Sequence, residues 1–394
     1  MNIPEKVFEL SKKYTDYTST NLSRLIQTKS LSGDEKEVTS KIKNMMEDAG
    51  FDEAWIDGLG NVIGRIGSGE KVIAIDGHID TVDVGNIDNW SFDPFGGEIK
   101  DGFVHGLGSA DQTGGPAAFI TAGKILKELG LINNATIYFV GSVMEEDCDG
   151  LCWKYIIEED KIKPECVIVT EPTNLNIYRG HRGRMEIEVS FFGLSAHGAA
   201  PERGKNAIYM ASKAALEIEK LNEKLAVDKF LGKGTVTISE IVSSSPSLCA
   251  VSDFCKFHLD RRLTKGEDKN LALHQIEEIV KGMNAKVELL YYNGKAYTGL
   301  EYGMEKYFPT WSIEEDSPII QKGVKAFEQL FNQKPLIDKW NFSTNGVVIN
   351  GIYNIPVIGF GPGNENLAHA PDEKVPIDHL VKAAAFYAYY CSIY

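Results

Sequence analysis

Two histidines and several carboxylates of this 394-residue chain stand just beyond short apolar runs. Lys71-Val-Ile-Ala-Ile75 leads into Asp76-Gly77-His78-Ile79-Asp80, and Ala135-Thr-Ile-Tyr-Phe-Val140 runs on to Met144-Glu145-Glu146-Asp147. Cys166-Val-Ile-Val169 ends at Thr170-Glu171-Pro172, and Ile355-Pro-Val-Ile-Gly-Phe360 is followed by His369. One further carboxylate, Asp111, sits among glycines in GLGSADQTGG (106–115). Metal sites that activate water draw on imidazole and carboxylate rather than thiolate, and a shared carboxylate lowers the repulsion between two cations. His78, Asp111, Glu146, Glu171 and His369 are therefore the candidate ligands.

Two pairs sharpen this reading. Residues i and i+2 of an extended segment point the same way, so Asp80 can approach the ring of His78, fixing its tautomer and raising its basicity. Standing alone, His-x-Asp is as well explained by a satisfied structural pair. Adjacent Glu145 and Glu146 repel each other at the end of a buried strand, so one calls for a cation or a proton; the other is then free to act as general base. Taken alone, that pair also fits a solvated loop. Asp111 taken alone fits an ordinary Gly-rich turn.

Other chemistries fall away. No G-x-x-x-x-G-K-[ST] phosphate cradle and no H-E-x-x-H occur, and Gly106-x-Gly108 lacks the third glycine of a dinucleotide fingerprint. Gly193-Leu-Ser195-Ala-His197 begins like a nucleophile elbow but has His where the second Gly belongs. The six cysteines are scattered without C-x-x-C spacing and read as reduced, buried thiols. His105, His181, His258, His274 and His379 read as structural or surface residues, with His181 set apart because it opens the middle segment. A net charge of −15 without a basic block excludes the footprint of a nucleic-acid binder. No signal-peptide-like start and no run of about 18 apolar residues occur, so the chain is expected to be cytoplasmic and not membrane-bound.

The elements that must position these residues follow from periodicity. Residues 4–28 and 35–49 carry helical spacing, and apolar strands then alternate with helices near 113–129 and 151–159. That alternation predicts a mainly parallel α/β sheet covered on both faces, and open sheets of this kind bind ligands at the C-terminal strand ends. Between 183 and 293 the order becomes β-α-β-β-α-β, a ferredoxin-like unit inserted into the main domain. The expected division is 1–182 with 294–394 as one domain and 183–293 as the other.

Together the segments GHIDTV (77–82), GLGSADQTGG (106–115), MEEDCDG (144–150), TEPT (170–173), GLSAHGAAPERGKNAI (193–208), LDRRL (259–263) and FGPGNENLAHAPDE (360–373) span nearly the whole chain. In order and content they resemble the acetylornithine deacetylase / succinyl-diaminopimelate desuccinylase family of metallopeptidases and aminoacylases. A narrower likeness rests on EEDCDGLCW, YRGHRGRMEI, FLGKGT, DKWNFSTNG and GFGPG. These resemble the branch of selenium-metabolism-linked hydrolases.

The resemblance implies a phosphorylase/hydrolase-like zinc-peptidase domain carrying two divalent metal ions. Asp111 would bridge them, His78 and Glu171 completing one and Glu146 and His369 the other. Zinc is the expected occupant, with cobalt and manganese compatible with oxygen-rich ligands. Glu145 would be general base and then proton donor to the leaving amine, and Asp80 would orient His78. The peptide after Asp111 would be cis. The insert would serve as lid and dimerisation domain of a homodimer, its His197 reaching the partner's site to hold the oxyanion. Arg262 would bind a substrate carboxylate. Two departures stand out: Gln112-Thr113-Gly114 replaces the frequent Met-Lys-Gly, and Asn345 replaces Asp. Both are expected beside the substrate, so the metal set matches the family while the substrate need not. The resulting expectation is a hydrolase of an amide bond in a small carboxylate-bearing substrate. The alternatives are the same site acting on an imide, carbamoyl or cyclic ureide bond, and a non-catalytic binding descendant.

Overall fold

A computed structural model describes all 394 residues. Its main sheet has eight strands, and the central four, Ala135–Ser142, Lys71–His78, Cys166–Val169 and Val357–Gly359, lie side by side and parallel. Antiparallel neighbours flank them, with Glu53–Ile56 and Val62–Ile66 on one side and Ile177–Tyr178 on the other. The sheet is thus parallel where the candidate ligands leave it and mixed towards its edges.

The parallel strands are apolar on both faces because helices cover both. Ile73, Ala74 and Ile75 are fully buried, as are Val167, Ile168 and Val169. Helix Gly114–Leu129 is buried along nearly its whole length and ends at Gly130, whose left-handed φ of 62° suits a residue without Cβ. The N-terminal helical pattern forms two helices, Ile3–Lys13 and Thr15–Ile26, rather than one. The break falls at Tyr14, where both helices share a cap residue outside helical geometry.

The middle segment builds a second sheet in the order Thr235–Ser244, Phe254–Leu263, Gly183–Phe192, Ala285–Leu289, with helices Ala207–Lys224 and Lys269–Val280. The first and third strands of the βαββαβ run are central and adjacent, which is the ferredoxin-like order. It has its own core of 17 buried residues, separate from the main core of 75, so burial sorts the chain into two units. The chain returns to the main core through a hairpin, Tyr291–Lys295 with Glu301–Glu305, whose Tyr292 and Tyr302 pack on the main core. The expected boundary at 293/294 falls inside this hairpin. No helix is long and apolar enough to cross a membrane.

Candidate metal centre

Strand register brings the candidate residues together. His78 pairs with Ser142 across the parallel ladder, and Asp76 pairs with Val169 on the other side. Glu145 is three residues beyond Ser142 and Glu171 two beyond Val169, so His78, Glu145 and Glu171 converge above the strand ends. Gly361 lets the exit of the Val357–Gly359 strand press against this rim, since a Cβ there would overlap the Thr170 and Glu171 carbonyls.

His78 is buried. Its Nδ1 lies 2.9 Å from the Asp80 carbonyl oxygen, which fixes the proton on Nδ1 and leaves Nε2 free to ligate. Nε2 stands 3.1 Å from Asp111 Oδ1, 3.7 Å from Glu171 Oε1 and 3.9 Å from Glu145 Oε2. On the other side of Asp111, Oδ2 lies 3.5 Å from His369 Nε2, which in turn lies 2.9 Å from Glu146 Oε2. Asp111 therefore turns one oxygen towards each histidine, the disposition of a bridging ligand. The Asp111–Gln112 peptide is cis.

The donor set fits cations. Glu145 Oε1 and Glu171 Oε2 are buried with no hydrogen-bond partner. Such oxygens are costly to bury unless a cation or proton meets them. Burial, followed by mutual repulsion among the carboxylates, pushes the Glu145 and Glu171 carboxyls well above their ordinary range. Burial opposes charge on His78, yet Glu171, Asp111 and Glu145 together drive its pKa well above the usual imidazole value. The hydrogen bond that the His369 ring donates to the Glu146 carboxylate raises the ring's pKa to about 9. Two triads, His78–Glu145–Glu171 and His78–Asp111–Glu146, are each compact enough for a single ion; His369 belongs to neither.

The centre opens on a cavity of about 350 Å³ whose walls include Arg184, Arg262, Asp149, Phe342, Ser343 and Glu365. Arg262 lies in this wall, held there by Asp260 at 2.7 Å. Arg184, paired with Asp149 at 3.1 Å, was not singled out by sequence reasoning, although it opens the strand at which the insert begins. Asp149 and Glu365 were also missed; each belongs to a motif-bearing loop but carries no spacing that marks its direction.

Three expectations change. Asn345 is not on the cavity wall but beneath the centre, 1% exposed. Its amide donates to Asp76 Oδ2 at 2.9 Å and Ser142 Oγ at 3.1 Å, and its oxygen accepts from the Gly150 N–H at 2.8 Å. A side chain so fully engaged has no group left for substrate. Gln112 and Thr113 are likewise internal, bonded to Thr170 Oγ1 and the Gly108 carbonyl. Asp80 orients His78 through its main-chain carbonyl; its carboxylate is 3.7 Å from the ring and instead accepts the Glu145 and Glu146 N–H groups and the Ser32 hydroxyl. Asp80 thereby sets the Glu145–Glu146 turn as well.

His197 is exposed and away from its own chain's cavity, its Nδ1 accepting the Ala199 N–H at 3.0 Å. His181 is fully buried. Its Nδ1 donates to the Arg182 carbonyl at 2.8 Å, while Nε2 accepts from Trp311 Nε1 at 2.7 Å. Burial lowers its pKa to about 4, so it is a neutral structural residue.

Residues 74–392 match the family model described as Peptidase family M20/M25/M40. The Escherichia coli (strain K12) protein YgeY, itself uncharacterized, is 50% identical over 390 residues, covering 98% of this chain and 97% of that protein. Acetylornithine deacetylase of Vibrio campbellii is 27% identical over 353 residues, 87% of each chain. The crystal structure of Bacillus subtilis YXEP, described as a dinuclear metal binding peptidase of the M20 family, superimposes with a TM-score of 0.72 at 16% identity over 97% of this chain and 98% of that one. Family model, near-full-length relatives and ligand cluster agree: this chain is a metallohydrolase of peptidase family M20/M25/M40.

Proposed function

We propose that the protein hydrolyses an amide bond, peptide or N-acyl, in a small substrate carrying a free carboxylate. The observation that carries this reading is the pair of ligand sets sharing Asp111, with the unpartnered Glu145 oxygen beside them. His78 and Glu171 would hold one ion and Glu146 and His369 the other, zinc first among the candidates and cobalt or manganese compatible. When bound, such ions polarise a carbonyl and make water a stronger acid.

The chain's own groups do the rest. Glu145 accepts a proton from the attacking water as its oxygen bonds to the carbonyl carbon. It then returns that proton to the nitrogen as the C–N bond breaks, releasing a carboxylate and an amine. Burial and neighbouring carboxylates suit Glu145 to this task by making it more basic than a surface Glu. Arg262 offers its planar guanidinium to the substrate carboxylate. The domain built on the second sheet acts as lid and dimerisation unit, and the exposure of His197 is in keeping with service to a second subunit's oxyanion. The branch motifs EEDCDGLCW and DKWNFSTNG support placing the enzyme among the selenium-metabolism-linked hydrolases.

The alternative of an imide, carbamoyl or ureide substrate drew on Thr113 and Asn345, and neither lines the cavity. Nothing in the walls favours it over the amide. A panel of N-acyl amino acids and dipeptides, assayed with and without chelator, tests the proposal. Turnover that chelator removes and zinc restores is expected; turnover of ureides alone, or none that depends on metal, overturns it.

A further inference from the structure

Glu373 lies four residues after His369 and is almost completely buried. Its Oε2 accepts the Gly108 N–H at 2.9 Å, and its Oε1 accepts the N–H groups of Ala110 at 2.7 Å and Asp111 at 2.9 Å. Its own carbonyl accepts the Gly106 N–H at 3.0 Å. One residue thus takes four backbone donors from the loop that presents Asp111. The loop curls around the carboxylate because Gly106 and Gly108 adopt positive φ, 141° and 78°, turning successive N–H groups inward as an anion nest.

This carboxylate joins two segments that local structure alone cannot hold together. Asp111 rides on a glycine-rich loop, and His369, itself at a positive φ of 54°, rides on an irregular loop ahead of the short strand Lys374–Pro376. That strand pairs with Phe103–His105, so the two loops leave one small ladder, and Glu373 closes the gap beyond it. By contrast, His78 ends a central strand and Glu171 follows two residues after another. Their positions do not depend on the loop.

From this geometry we infer that Glu373 is a positioning residue that sets Asp111 against His369 and so tunes the ion held by Glu146 and His369 more than the ion held by His78 and Glu171. The inference rests on the dinuclear reading given above. Loss of groups that support ligands commonly weakens metal binding by about 10- to 100-fold. A selective loss of that size is expected here, because only one ion takes ligands from both joined loops.

The test uses Glu373→Gln, which keeps the shape but turns an NH₂ towards one loop N–H, and Glu373→Asp, which keeps the charge but falls short. Cobalt titration of the chelated full-length protein, followed by calorimetry and visible absorption, is expected to give two equivalents for the parent. In both variants one site should weaken by about 10- to 100-fold while the other changes little. Amide hydrogen exchange of the metal-free proteins is expected to show Gly108, Ala110 and Asp111 protected in the parent and exposed in the variants. Two unchanged cobalt affinities, or equal weakening of both, overturn the inference. A parent that binds fewer than two ions instead overturns the dinuclear reading. In that event unaltered exchange in the variants rejects the clamp, and selective loss of protection at these amides upholds it.

Discussion

His369 Nε2 meets Glu146 Oε2 at 2.9 Å although 223 positions separate them in the chain. The ring is half-exposed and the carboxylate mostly buried, so the contact sits at the cavity rim. With Asp111 on its other side, His369 carries a proton up to about pH 9 when no cation is present. A metal must displace that proton to reach Nε2.

Metal uptake at pH 8 is therefore expected to release protons, and affinity at this site should fall as the pH drops below about 9. Calorimetric titration of the chelated protein with zinc in buffers of different ionisation enthalpy measures the release directly. Binding with no proton release at pH 8 would remove His369 from the ligand set.

The role proposed for Glu145 can be separated from that of the candidate ligands by one substitution. Glu145→Gln keeps its size and removes its basicity, so kcat should fall by about 10²- to 10⁴-fold. Metal content after gel filtration should stay close to that of the parent. A variant that is fast, or that has lost its metal, contradicts the role proposed for Glu145.

Arg262 stands on the cavity wall with part of its guanidinium turned to solvent. Hydrogen bonds to charged groups are worth about 1.5–3 kcal/mol, so Arg262→Ala should lower kcat/KM for carboxylate-bearing substrates by about 10- to 100-fold. Amidated analogues lacking the carboxylate should lose little. Equal losses for both would show that Arg262 acts on something other than that group.

Asn345 predicts the opposite pattern. Removing its amide leaves the buried Asp76 Oδ2 without its 2.9 Å donor while Ser142 still serves Oδ1, so Asn345→Ala should cost about 1–3 kcal/mol in urea denaturation. Its KM, measured on the folded fraction, should change little. A raised KM with parent-like stability would return Asn345 to the cavity wall.

His181 makes stability depend on pH. Its pKa is about 4 in the fold against an ordinary 6.5, because burial disfavours the charged ring. The unfolded chain therefore binds the proton first as pH falls. The His181 contribution is complete above about 6.5 and is lost on the way down to about 4, at about 1.4 kcal/mol per pH unit. His379, also lowered to about 4 by burial, adds in the same window. In denaturation series from pH 7 to 4, His181→Gln should show a shallower slope than the parent; equal slopes would place the charge change elsewhere.

Much of this site is legible from residue order because four of its candidate residues follow closely on regular elements. A buried parallel strand announces itself as an apolar run, and the sheet must carry whatever comes next to its C-terminal rim. His78, Glu145, Glu146 and Glu171 could be placed on that ground alone. The ferredoxin-like insert was legible for the same reason, since alternating strands and helices write their period into the chain.

Tertiary structure decided what depends on direction and on distant partners. Whether Asn345 faces substrate or Asp76, whether Asp80 holds His78 by carboxylate or carbonyl, and which loop the Glu373 carboxylate fills are set by packing between segments far apart in the chain. No local pattern records where an irregular loop turns its side chains. Periodicity is a property of neighbours, whereas hydrogen-bond satisfaction in a buried site is settled only when the whole fold closes around it.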